Sequence, residues 1–258
     1  MGGVVRQAGG LRDACAIDTP RTWLRLLVGF FAVFALFQAL GHVLASDRAQ
    51  AGLLICAAIV AATIGAEAGL FRRPLPAVVH YLGLGRPTAR GMLAAAVAVV
   101  ALVLVLPLYA LVRGTEIAPA PGWLGMLPGL FAQAGVAEEI LFRGYLFRHL
   151  QDRRSFWRAA LLSMLPFVGA HLILFFTLPW PIALASVGLA AATALPLAHL
   201  FVLGGRTIWA PALLHFAIQG AIKVVTIPDR EAMLLPLVWI VAAAVIPYVV
   251  FLWPRPQT

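Results

Sequence analysis

Long apolar runs, separated by short breaks rich in charge, Pro or Gly, dominate the chain. Reading for stretches of about 20 apolar residues bounded in this way places spans at roughly 22–45, 50–71, 90–112, 122–147, 156–177, 181–203, 207–226 and 232–253. Inside a bilayer every backbone N–H and C=O needs an internal partner, so such runs form helices or a closed barrel. These are too long and unbroken for alternating barrel strands. The pattern therefore predicts an all-α, polytopic membrane protein with about eight transmembrane helices. Only Leu178-Pro179-Trp180-Pro181 separates the fifth span from the sixth, so those two could form one hairpin. The first run ends in Gly41-His42-Val43-Leu44 without a small-residue cleavage signal, which predicts a retained span. Residues 1–21 read as a cytoplasmic tail and 22–258 as one transmembrane domain, with no internal repeat and no soluble module.

Composition agrees. The chain is 62% hydrophobic and 11% charged, with mean hydropathy +0.96, against roughly 45–50% apolar residues in soluble domains. The net charge of +9 would suggest nucleic acid in a soluble protein. Here the basic residues fall between the apolar runs, where they set orientation, and no nucleic-acid partner is expected. With the N-terminus inside, 15 of the 19 Lys and Arg lie on the cytoplasmic side and four outside (Arg48, Arg113, Lys223 and Arg230). That asymmetry predicts a multi-pass protein of the cell (inner) membrane with both termini cytoplasmic. Lys223 is the one lysine, and alanine is abundant, as suits a GC-rich bacterial genome. Cys15 and Cys56 have neither disulfide nor metal-type spacing.

Charge inside a span costs about 2.5–3.5 kcal/mol per group, so the run Gln133-Ala134-Gly135-Val136-Ala137-Glu138-Glu139-Ile140-Leu141-Phe142-Arg143-Gly144 needs a reason. On an α-helix Glu139 and Arg143 stand i,i+4, about 40° apart, and can pair, while Glu138 points about 100° away. One acid can be held by Arg143 while the other faces the interior. Two adjacent carboxylates in a low-dielectric site cannot both ionise cheaply without a compensating cation. A carboxylate held in such a place suits a general base that takes a proton from water and returns it to a leaving amine. The bland alternative is a packing salt bridge, which explains Glu139 but leaves Glu138 without a local partner.

Two further spans carry polar groups near the same depth. The fifth gives Phe167-Val168-Gly169-Ala170-His171 and the seventh His215-Phe216-Ala217-Ile218-Gln219. Counted from the span ends, both histidines fall near the level of the Glu pair, so three helices are expected to converge on one pocket in the cytoplasmic half of the membrane. Gln219, one turn beyond His215, can support the imidazole or hydrogen-bond an oxyanion. His42, His80, His149 and His199 read as packing or loop residues.

Glu-Glu-x-x-x-Arg at 138–143, Phe-x-x-x-His at 167–171 and His-x-x-x-polar at 215–219, in this order on successive spans, resemble the CPBP family. That family includes the CAAX prenyl proteases of the Rce1 type and bacterial relatives, also called the ABI domain. By motif the resemblance covers about residues 120–225. It implies an intramembrane endopeptidase in which Glu138 activates water while Glu139, His171 and His215 line the same pocket, with Arg143, Phe167 and Gln219 supporting them. The family usually has Asn or Asp where this chain has Gln219. The implied substrate is a peptide or membrane-protein tail.

Other intramembrane protease chemistries lack their residues. There is no His-Glu-x-x-His, every Asp lies outside the spans, and neither Ser163 nor Ser186 sits in a Gly-rich turn. Glu139, His171 and His215 would make a His2Glu set whose ligand types suit zinc; a metal-free Glu-activated water uses the same residues. A noncatalytic scaffold or bacteriocin-immunity-type member of the same family is the alternative function. A proton-relaying transporter lacks the inverted repeat it would need.

Overall fold

A computed structural model describes residues 19–44 and 48–255. Most of the proposed tail, including Cys15, Arg6 and Arg12, lies outside the described residues. Among the described residues the chain runs about eight times through a helical bundle. Helix α1 (Pro20–Val43) starts at a reciprocal cap, the Thr19 hydroxyl accepting from the Thr22 amide at 3.2 Å and the Thr22 hydroxyl accepting from the Thr19 amide at 3.1 Å. Helix α2 (Arg48–Phe71) returns, and the short α3 (Leu75–Tyr81) lies across the end. The third traverse is α4 (Ala89–Val103) with α5 (Val105–Arg113). The fourth is one continuous winding: α6 (Trp123–Leu130), wide π turns at Phe131–Ala137 and Ile140–Phe147, and α7 (Arg148–Gln151). Then come α8 (Phe156–His171), α9 (Trp180–Leu203), α10 (Trp209–Gly220) and α11 (Leu234–Val245).

Among the described residues six helices are long and apolar enough to cross a membrane on their own. The other two predicted spans are the central ones. The fourth traverse carries Glu138, Glu139 and Arg143, and α10 is short, yet both are shielded: every residue of Ile140–Phe147 is buried, as are eight of the 12 residues of α10. The polar helices thus sit inside and the apolar ones face lipid, where side chains such as Leu111 and Phe176 stand exposed. One core cluster runs from α1 and α2 to the fourth traverse and α8; the second joins α4, α9, α10 and α11.

Contacts between connections define two ends. At one, the Thr88 hydroxyl donates to Leu203 O at 2.7 Å, Trp209 Nε1 donates to Gly85 O at 2.8 Å, and the Arg255 guanidinium lies 3.6 Å over the Phe156 ring. At the other, Ala118–Pro119 (β1) pairs antiparallel with Val225–Thr226 (β2), and Arg230 donates to Gly114 O at 3.2 Å. The arginines of segments 72–90, 148–158 and 206 all belong to the first end. The fourth traverse is held by glycine at both flanks. A Cβ on Gly135 would meet Ala212 O at 2.9 Å, and one on Gly144 would collide with Leu82 O, so the backbone itself is the contact surface.

Candidate active site

Glu138 and Glu139 lie between the two π segments. Such widened turns recur at functional sites, and here they replace the regular α-helix that the spacing predicts. The Glu139–Arg143 pair still forms, with Arg143 Nη1 donating to Glu139 Oε1 at 2.8 Å and both side chains buried. The same oxygen receives His215 Nδ1–H at 2.7 Å. A carboxylate only accepts, so this bond fixes the neutral His215 tautomer and leaves Nε2 with its lone pair. Glu139 is therefore an anchor. It is absent from the walls of the two cavities described below, both of which are lined by Glu138, 15% exposed at its side chain.

Gln219 closes the arrangement. Its Nε2 lies 2.9 Å from His215 Nε2 and 3.3 Å from Glu138 Oε1, and its Oε1 accepts from Lys223 Nζ at 3.4 Å. The amide orientation follows from its neighbours: the oxygen faces the ammonium and the NH2 faces two acceptors. Glu138 Oε2 stands 3.5 Å from His215 Nε2. Phe167 holds the other side. Its ring packs 4.9 Å from Phe142, lies 4.3 Å under the Arg143 guanidinium, and stands 5.1 Å from His171 and 6.0 Å from His215. The Phe167 carbonyl accepts from His171 Nδ1 at 2.8 Å, so neutral His171 also keeps Nε2 as an acceptor.

Glu138, His171, His215 and Gln219 share a cavity of about 470 Å³ with largely apolar walls. A smaller one of about 250 Å³ lies on the opposite side of Glu138, Gln219 and Lys223. The structure thus brings five of the seven candidate residues onto the wall of one cavity and sets Glu139 and Arg143 behind it. The expected zinc set does not fit. Glu139 Oε1 is shared by Arg143 and His215, and His215 Nε2 is covered by the Gln219 amide. Among the described residues no group of three His, Cys, Asp or Glu side chains is arranged to hold a metal ion.

The larger cavity lies toward one end of the bundle. Moving out from Glu138, Phe142 and His215, the larger cavity is walled by Gln38, Leu174, Leu178 and Lys223. All four belong to the end opposite the arginines. The winding of α8 continues past His171 as a tighter 3-10 turn over Leu172–Phe176, which carries Leu174 toward that end, and the fourth traverse continues to Gln151.

A second buried polar cluster escaped the sequence reading. Glu67, fully buried in α2, accepts from Arg73 Nε at 2.6 Å and pairs with His149 Nε2 at 2.8 Å. His149 Nδ1 lies 3.1 Å from the Tyr81 hydroxyl, which donates to Asp152 at 2.7 Å. The rule that intramembrane charge needs a reason, applied to Glu67, would have found it. His149 is a satisfied packing residue, and His199 is a buried one whose Nε2 meets Trp253 O at 2.9 Å.

Residues 120–221 match the sequence model of the Type II CAAX prenyl endopeptidase Rce1-like family. No curated protein and no solved structure matches the chain significantly. The matched segment opens just before α6 and closes just after α10, and so contains all seven candidate site residues. The likeness to that family is thus confined to residues 120–221, the segment that holds the candidate site.

Proposed function

We propose that this protein is an intramembrane endopeptidase in which Glu138 activates the hydrolytic water, and that it lies in the cell membrane with both termini cytoplasmic. The observation that carries the reading is the division of labour between adjacent carboxylates: Glu139 is bound to Arg143 and His215, while Glu138 faces the cavity. Glu138 takes a proton from water as the water oxygen attacks the peptide carbonyl. The tetrahedral oxyanion is met by the Gln219 N–H that Glu138 releases once it has taken up the water proton and, when protonated, by His171. Glu138 then returns the proton to the amide nitrogen, the C–N bond breaks, and a carboxylate and an amine leave. Glu139 keeps His215 in one tautomer, so that His215 holds Gln219 and Glu138 in register. Each step uses side chains of this chain alone, and residues 22–258 serve as one unit around the 120–225 core.

The Gln219 amide also favours a second reading. Both of its N–H groups point at Glu138 and His215, an arrangement that suits a noncatalytic scaffold or immunity-type member as well. Cleavage of a membrane-anchored reporter peptide in vesicles separates the two. Wild type should cleave and Glu138→Gln should not, at equal folded amounts. Equal cleavage by both sinks the Glu138 mechanism, and no cleavage by either favours the scaffold.

A further inference from the structure

We infer that the candidate site opens to the extracytoplasmic side of the membrane, so that its substrates are peptide segments or membrane-protein tails presented there. The inference rests on the protease reading for the word substrate, but not for the direction of access.

Two independent placements coincide. First, the bundle has two ends. Arg21, Arg25, the arginines of 72–90 and 148–158, Arg206 and Arg255 occupy one, against Arg48, Arg113, Lys223 and Arg230 at the other. Basic residues in short loops stay cytoplasmic, so the first end faces the cytoplasm. Second, the outer walls of the cavity, Gln38, Leu174, Leu178, Ile222 and Lys223, come from the last turns of α1, the segment after α8 and the segment after α10. Each of these runs into a connection of the arginine-poor end. None of the lining residues comes from 71–90, 148–158, 204–209 or 252–255. The smaller cavity points the same way, being walled by Gly41, Leu44 and Ala51 beside Glu138. On the cytoplasmic side the route to Glu138 is filled by the buried Ile140–Phe147 segment and by the Glu67, His149 and Tyr81 cluster. The cavity walls are mostly apolar with a few polar groups at depth, as suits an extended peptide whose backbone meets Glu138, Gln219 and His171.

The test is thiol accessibility in a chain with Cys15→Ser and Cys56→Ala. Single cysteines Thr177→Cys (arginine-poor end), Ser155→Cys (arginine-rich end), and Ser186→Cys or Leu174→Cys (cavity wall) are exposed in intact bacterial cells to a membrane-impermeant maleimide. Thr177→Cys and at least one cavity cysteine should label from outside, and Ser155→Cys only after permeabilisation. Cavity labelling that requires permeabilisation, together with Ser155→Cys labelling in intact cells, overturns the orientation. Labelling of Thr177→Cys alone, with both cavity cysteines silent before and after permeabilisation, overturns the open cavity. Reporter cleavage in right-side-out vesicles should exceed that in inside-out vesicles. If neither preparation cleaves, the protease reading fails while the labelling result still decides the direction of access.

Discussion

Replacing Arg143 by methionine keeps most of the side-chain volume and removes the charge. Glu139, with no exposed surface, then keeps the His215 Nδ1–H bond alone. Removing one partner of a buried ion pair costs about 3–5 kcal/mol, and loss of the guanidinium 4.3 Å over Phe167 adds about 0.5–2 kcal/mol. The retained histidine bond offsets about 1.5–3 kcal/mol of this as a hydrogen bond to a charged group, so a net loss of about 3 kcal/mol is expected. Arg148→Met is the control. It removes a longer, partly buried pair with Asp152 at 3.8 Å and a contact 5.0 Å over the Tyr81 ring, each worth about 1 kcal/mol or less. Thermal unfolding in detergent should show Arg143→Met well below Arg148→Met. In a double-mutant cycle with Glu139→Gln, the double variant should be more stable than the summed losses by about 2–3 kcal/mol. Equal shifts for the two arginine variants, or strict additivity with Glu139→Gln, would refute Glu139 as a buried anchor held by Arg143.

Gln219→Ala should lower kcat by about 10²–10³ with little change in KM, as for loss of one oxyanion donor; an unchanged kcat in single-turnover assays removes Gln219 from the mechanism. Glu67→Gln leaves Arg73 and His149 without their shared carboxylate and should cost about 2–4 kcal/mol in unfolding measurements, while cleavage per folded molecule stays unchanged. At the arginine-poor end, the Tyr109 hydroxyl and then Arg113 hold the Glu231 carboxyl below the ordinary carboxylate range. A folded value below the unfolded one, about 4.3, stabilises above that pH and loses its effect as pH falls through the folded value. The stability gap between wild type and Glu231→Gln should therefore be constant near neutrality and shrink in acid; a gap that widens on acidification contradicts the assignment.

The apolar runs carried the fold because lipid allows so few solutions, and the cost of Glu138 in a span marked the site before any geometry was known. The roles within the Glu pair were less legible. Spacing paired Glu139 with Arg143, but only the packing of α10 on the fourth traverse shows that His215 shares that carboxylate, which removes Glu139 from the cavity wall. The direction in which the pocket widens was not legible, because counting residues along spans does not say that Gln38, Leu174 and Lys223 meet around one cavity. Glu67 was overlooked because its partners, Arg73 and His149, lie beyond the span ends in sequence and fold back onto it only in three dimensions.

Because Gly135 rests on the Ala212 carbonyl, main chain sets the separation of the helix bearing Glu138 from the one bearing His215. The lipid-facing helices can tilt to follow a thicker or thinner bilayer at small cost, while that inner gauge stays fixed. Membrane thickness should alter how a substrate reaches the cavity and leave untouched the distances at which it would react.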